Sequence, residues 1–355
     1  MKKILIVGKE VSGFGGMETV FTTTYDELSK EKYDVSFVFF NELNSNSVVN
    51  DDWLCGRRYS RITSIIKNKK IKRLHMALKF GFLLKKYKPD YIIAYDPIGC
   101  FISRYAMNFS FINIPLFSWT HFSIKHTYKS KYLLLADKHL SICDEITRQF
   151  INLGVNSDDT YTIYNPIKRQ NNTISRPDSA SFIYVGRIMF EGQKNISELF
   201  KALSNLKGDW KLHMIGSGEH DDIDKLKKLS REDSFDDRVV WHGWQTNPWQ
   251  YIEENIKLVT SLVITSNYEG FGMVIAEANS YGIYAISSNC PTGPSDIITP
   301  KINGDLYQCG DISSLTGKLQ SLIDNPNLPD SSDIKLSVEN FYLENYVANL
   351  ENILQ

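Results

Sequence analysis

Along the first half of the chain, short apolar runs recur at intervals: "KILIVG", "VSFVFF", "YIIAY", "PLFSW" and "HLSIC". The segments between them place apolar residues every three to four positions, the period of a helix packed on one face. The runs themselves are continuous, as in strands covered on both faces. Such an alternation predicts βαβ units and a parallel sheet. At "NPIKRQNNTISRPDSAS", residues 165–181, the period is lost and two prolines enter a polar stretch, so a linker is expected. The alternation restarts with "FIYVG", "WKLHMIG", "VVWHG", "LVITS" and "YAISSN", and a final helix is predicted over Asp333–Leu354. The expectation is an α/β chain of two doubly wound, Rossmann-like domains facing each other across a cleft. They span residues 1–168 and 169–332, with residues 333–355 returning to the first domain. Ligands of such sheets lie beyond the carboxyl ends of the strands.

A length of 355 residues suits two domains with full cores, and the composition is that of an ordinary globular protein without repeats. The start, "MKKILIVGKE", has an apolar run too short for a secretory signal, and the aromatic-rich stretch Phe101–Ile124 is broken as a membrane span by Arg104, Asn108, Asn113, Pro115 and His121. A cytosolic location is expected. Cys55, Cys100, Cys143, Cys290 and Cys309 are scattered and lack CxxC spacing, which predicts reduced, mostly buried thiols and neither a disulfide framework nor a zinc site.

The net charge of −1 conceals an asymmetry. Residues 1–170 hold 25 Lys and Arg against 16 Asp and Glu, a balance of +9, and the remainder carries −10. Between Trp53 and Pro89 there is no acid, while twelve cations from Arg57 to Lys88 alternate with Ile, Leu and Phe. Lys67, Lys69, Lys70, Lys72 and Arg73 form the densest part, either a patch for an anionic surface or a solvated helix face.

Several stretches carry candidate chemistry. "GKEVSGFGGMET" follows the first strand, but Glu18 stands where a dinucleotide fingerprint needs its third glycine; Gly15 and Gly16 at a helix start suit an anion, or a plain βα turn. In "VGRIMFEGQKN", Arg187 and Lys194 suit a diphosphate, one as a planar fork and one as a point charge, or are solvated loop charges. "IGSGEHDD" places Gly216 and Gly218 after a strand, for a phosphate or a tight turn. The strongest signal is "SNYEGFGMVIAEA": Glu269, then Gly270, Phe271, Gly272 and Met273, then Glu277 about two helical turns on. Carboxylates accept from vicinal sugar hydroxyls, and the N–H groups of the helix start face a phosphate. "CPTGPSDII" offers further backbone N–H groups, or is an ordinary loop. His121 in "SWTHFSIKH" follows a strand of the first domain, structural or within reach of the cleft.

Together, Gly15 and Gly16 with Glu18, His121, "YNPI", Arg187 with Lys194, and "EGFGMVIAE" resemble the retaining family-4 type glycosyltransferases of GT-B fold, over nearly the whole chain. The resemblance implies that Glu269 binds donor-sugar hydroxyls, Glu277 the ribose, and Arg187 with Lys194 the leaving diphosphate. Gly16 would face the same phosphates and His121 the donor sugar, with Gly15, Gly216, Gly243 and Trp244 also binding the donor. Within the family it points to members acting on the lipopolysaccharide core, with UDP-galactose as donor, a core glucose as acceptor, no metal, and attachment to the anionic inner face of the inner membrane. Two departures are present: Asn165-Pro166 replaces an Asn-Gly pair, and Gly293 in "TGPS" stands alone where the family has two glycines. A different nucleotide sugar, UDP-glucose or UDP-N-acetylglucosamine, and a nucleotide-sugar epimerase are the near alternatives. An NAD-dependent oxidoreductase is disfavoured by the broken fingerprint, and a nucleic-acid partner by the acidic second half.

Overall fold

The computed structural model describes residues 1–11, 16–30, 32–41, 50–325 and 327–355. It comprises two compact units, Met1–Pro166 with Tyr346–Gln355, and Ile167–Asn345. The first unit runs β1 (Lys2–Lys9), α1 (Gly16–Ser29), β2 (Tyr33–Phe40), β3 (Tyr59–Ile62), α2 (Lys69–Tyr87), β4 (Tyr91–Ala94), α3 (Pro97–Ser110), β5 (Leu116–Thr120), β6 (Lys138–Ser141), α4 (Asp144–Asn152) and β7 (Thr160–Thr162). Its strands lie in the order β3-β2-β1-β4-β5-β6-β7, all pairs parallel, with Ile4 opposite Val35 on one side and Tyr91 on the other. The apolar runs form the core, where Ile4, Ile6, Phe37, Ile92 and Phe117 are fully buried. Local chemistry sets the helix starts: the Asn68 side chain accepts from Lys70 N and Ile71 N, and Asp96 Oδ1 from Gly99 N at 2.8 Å with Pro97 in the first turn.

The second unit runs β8 (Ala180–Val185), α5 (Ile196–Leu203), β9 (Trp210–Ile215), α6 (His220–Glu232), β10 (Val239–Gly243), α7 (Pro248–Tyr251), β11 (Ser261–Ile264), α8 (Met273–Ser280), β12 (Tyr284–Ser288), α9 (Pro294–Ile297), β13 (Gly304–Tyr307), α10 (Ile312–Asp324) and α11 (Ser331–Ser337), followed by α12 (Leu343–Ile353), which crosses into the first unit. The strand order is β10-β9-β8-β11-β12-β13, again parallel. Each sheet reverses its order once, between β1 and β4 and between β8 and β11. Crossovers diverge at such points and leave room for ligands. The α/β class with two Rossmann-like sheets is as the apolar pattern predicts.

Three features differ from the sequence reading. The strands β3, β7 and β13 were not foreseen, being three or four residues long and at or beside sheet edges, where few positions need be apolar. The expected linker is laced onto the second unit: Arg169 makes two hydrogen bonds to Glu339, at 2.6 and 3.0 Å, and lies over the Tyr342 ring, while Ile174 N donates to Tyr281 O. The helix predicted over 333–355 is broken into α11 and α12. Ile167 N donates to Phe341 O and Leu343 N to Ile167 O, which draws the chain there into an extended bridge that no helix can contain. The last turns of α12 complete the first unit, with Tyr346 OH 2.9 Å from Thr24 Oγ1 and Leu350 and Leu354 buried. None of the five cysteines is in a disulfide, and three of them are buried. Among the described residues, no helix is long and apolar enough to cross a membrane.

Candidate active site

At the reversal point of the second sheet, the loops after β8 and β11 are stitched together by polar side chains. Thr265 Oγ1 donates to Lys194 O and Asn195 O, both at 3.1 Å, Asn267 Nδ2 to Gly192 O at 2.6 Å, and Gln193 Nε2 to Tyr268 O at 3.3 Å. The stitching brings Lys194 Nζ to 2.6 Å from Glu269 Oε1, which also accepts from Ser266 Oγ at 2.6 Å. Both side chains are largely buried, 16% and 9% exposed, so this ion pair is formed where water screens it poorly. Arg187 sits exposed on the same loop, its Nη2 3.2 Å from Gln193 Oε1, with its carbonyl accepting from Tyr184 OH.

Glu269 lies in the loop before α8, and of the two spaced glutamates only Glu277 is on the helix. Gly272 is the residue before the first turn of α8, so Met273 and its successors present the positive end of that helix beside the Lys194–Glu269 pair. Glu277 is partly buried, which pushes its carboxyl pKa up, opposed by the Trp249 Nε1–H donated to Oε2 at 2.8 Å. Behind the loop, Thr292 Oγ1 donates to Glu269 O. Gly293 (φ 93°) passes so close that a Cβ would lie 1.9 Å from Phe271 O. The lone glycine of "TGPS" therefore buttresses the Glu269–Gly272 turn, while Phe271 itself is buried edge-on against Phe341.

Gly216 has a packing reason to be glycine, since a Cβ would meet Gly186 O at 1.8 Å, and its N–H is donated to Gly243 O. Gly243 follows a bulge: Trp241 pairs with Met214 and Gly243 with Ile215, leaving His242 as the extra residue and turning Trp244 out to 65% exposure. An Asp-x-Asp spacing, Asp222 and Asp224, falls on α6, where residues two apart point to different sides, and they pair with Lys225 and His220 respectively. The residues the sequence missed are Thr265, Ser266, Gln193, Asn267, Trp249 and the His213–His242–Tyr251 chain. Gln193, Ser266 and Asn267 lie inside the stretches singled out above without being picked from them, and the others are placed only by the fold.

In the first unit, Gly15 lies outside the described residues. Gly16 opens α1, exposed and with no described atom within 4 Å of where a Cβ would be. His121, just past β5, is 3% exposed, edge-on to Phe21, and burial lowers its pKa to about 3. Its Nε2 and Thr120 Oγ1 have no partner among the described residues, and both residues line a cavity of about 170 Å³ with Glu10, Tyr95 and Asp96. On and before α2, Lys67, Lys69 and Lys70 are exposed and Lys72 partly so. Arg73 turns inward with Met76, Ala77 and Phe80, because the helical period puts it on the core face, which removes it from the surface patch.

A model of Glycosyltransferase Family 4 matches residues 14–171, and one of Glycosyl transferases group 1 matches residues 167–334. The lipopolysaccharide 1,6-galactosyltransferases of Escherichia coli and Salmonella typhimurium are each 38% identical to this chain, over 99% of it and 98% of their own length. The apo form of the lipopolysaccharide outer core galactosyltransferase WaaB superposes with a TM-score of 0.92 at 37% identity, covering 99% of this chain and 98% of that one. Anabaena HepE in complex with UDP shares the fold at a TM-score of 0.80 and 16% identity, over 100% and 99% of the two chains. The chain belongs to the family-4 type glycosyltransferases of GT-B fold.

Proposed function

We propose that this glycosyltransferase moves galactose from UDP-galactose to a glucose of the lipopolysaccharide core, forming an α-1,6 linkage with retention at the anomeric carbon. The observation that carries the reading is the Lys194–Glu269 pair, held at 2.6 Å beside the start of α8, with Glu277 about one turn into that helix. The choice of galactose and acceptor is supported by what the 38% identical relatives are named for.

The chemistry follows from charge. Leaving of the diphosphate puts positive charge on the anomeric carbon and negative charge on the departing oxygen. Lys194, Arg187 and the N–H groups of Gly270–Met273 stabilise that oxygen electrostatically in place of a metal. Glu269 accepts from donor-sugar hydroxyls, Glu277 from the ribose, and Trp244 covers the base. With retention, the leaving phosphate takes the acceptor hydroxyl's proton on the same face. Lys194 stays bound to Glu269 until a phosphate competes for it, so donor binding frees the carboxylate for the sugar.

The first unit holds the acceptor, and α2 meets the anionic inner-membrane surface on which that acceptor is built. Besides its lysines, α2 exposes Ile71, Leu78 and Phe82, apolar groups suited to the acyl boundary below a charged headgroup layer. Each cation there contributes about 1 kcal/mol.

The test is incubation, with EDTA present, with UDP-galactose, UDP-glucose or UDP-N-acetylglucosamine and lipopolysaccharide lacking the branching galactose. Galactose transfer alone supports the reading. Transfer of another sugar replaces the donor, and activity abolished by EDTA overturns the metal-free mechanism.

A further inference from the structure

Between β10 and β11 the chain makes a short helical turn, α7, begun by Pro248 and capped by Asn247, that continues into a π-helical turn at Ile252–Ile256. Two of its side chains reach in different directions. Trp249, 7% exposed, donates its indole N–H to Glu277 Oε2 at 2.8 Å and stacks on Tyr281, the residue that closes α8, at 5.4 Å and 22°. Tyr251 OH lies 3.0 Å from His242 Nδ1, and His242 Nε2 lies 2.9 Å from His213 Nδ1. His242 is the extra residue of the bulge that delivers Gly243 and Trp244.

These are not interchangeable packing contacts. An indole nitrogen can only donate, so it fixes one oxygen of the Glu277 carboxylate and, among the described residues, leaves Oε1 to a ligand. Two neutral imidazoles in line with a phenol make a directional chain: a neutral ring that accepts at one nitrogen donates at the other, so the Tyr251–His242 and His242–His213 bonds run in one sense. This sets the ring that sits in the bulge. A bulge re-aims the residues after it. One turn thus holds the orientation of two elements with no hydrogen bond to each other among the described residues.

We infer that α7 is a brace for nucleoside recognition. Trp249 is the positioning residue for the carboxylate that takes the ribose hydroxyls, and Tyr251, through His242 and His213, is the positioning residue for the loop carrying Trp244. The inference rests on the reading that Glu277 receives the ribose of a nucleoside diphosphate. Its two arms act on different parts of the same ligand: Trp249 on the hydroxyls, Tyr251 on the base.

The experiment is calorimetric titration of the full chain with UDP and with 2′,3′-dideoxy-UDP. Wild type is expected to prefer UDP by about tenfold or more, the strength of hydrogen bonds to a charged group. Trp249→Phe, which keeps a ring on Tyr281, weakens UDP by about tenfold and leaves dideoxy-UDP within about twofold, so the preference collapses. Unchanged dideoxy-UDP binding also shows that the variant is folded. Trp249→His, which restores a ring N–H, recovers part of the preference. Tyr251→Phe does the opposite, weakening both nucleotides by a similar factor of about three to ten and keeping their ratio. Equal loss of both nucleotides in Trp249→Phe, or no loss of either, overturns the brace and leaves the ribose reading standing. A wild type that does not discriminate between the two overturns the ribose reading and the brace with it.

Discussion

The carboxyl ends of the two sheets share a topology and differ in how their polar groups are used. Around Glu269 the side chains of Lys194, Ser266, Thr265, Asn267, Gln193 and Thr292 are spent on one another or on loop backbone, and the pair at the centre is held from three sides. At the matching place in the first unit, His121 Nε2 and Thr120 Oγ1 are buried beside a cavity with no partner among the described residues. A buried polar atom without a partner costs on the order of 1–3 kcal/mol. The Glu269 loop is therefore organised without a ligand, whereas the pocket beside His121 retains hydrogen-bonding capacity that no described residue uses. One fold supports both arrangements because the sheet fixes where loops start, and side chains decide what they do.

The sharpest way to break this contrast is to cut the central pair. Lys194→Ala or Glu269→Ala is expected to lower kcat by about 10²- to 10³-fold, and also to lower Tm, because the remaining charge is left largely buried without its partner. Wild-type turnover in either variant would remove the assigned role. Next is the buttress. Gly293→Ala forces a Cβ against Phe271 O, and a loss of about 2–3 kcal/mol is expected in the stability of the second unit, read by hydrogen exchange that leaves β1 and β4 protected. Uniform loss of protection, or none, would mean the turn yields more easily than its geometry implies.

A smaller effect sharpens the first-unit side. His121 is neutral in the fold, with a pKa of about 3, and titrates near 6.5 when unfolded, so the unfolded chain takes up the proton first. Its contribution is complete above pH 6.5 and is lost as pH falls toward 3, with a slope of about 1.4 kcal/mol per pH unit. Calorimetry between pH 6.5 and 4.5 should show His121→Phe with a shallower loss than wild type, and an identical slope would refute the assignment. His139 and His213, both lowered to about 4, titrate in the same direction and remain in both proteins. The smallest step is at α2, where Lys69→Ala and Lys70→Ala should each weaken binding to anionic vesicles by about 1 kcal/mol and neither should affect neutral vesicles. Equal binding to both vesicle types would leave the exposed Ile71, Leu78 and Phe82 as the whole attraction.

Much of the fold was legible because fully buried parallel strands must be continuous apolar runs, as "FIYVG" and "LVITS" are. The edge strand "TYT" has no such requirement, and the break in the last helix depends on Ile167, far away in sequence. Glu269, Glu277 and Lys194 were visible through their spacing. Trp249 was not, because nothing local distinguishes an indole that orients a carboxylate from one that fills a core. Arg73 was misplaced for the converse reason: a run of cations looks uniform until the helix assigns each one a face.

The return of Tyr346–Gln355 to the first unit has a consequence for biosynthesis. A ribosome makes Met1–Pro166, then all of Ile167–Asn345, and only afterwards the segment whose Tyr346, Leu350 and Leu354 are buried in the unit begun first. The unit completed first in the nascent chain is thus the second, and the first must wait, partly assembled, for its closing segment to emerge.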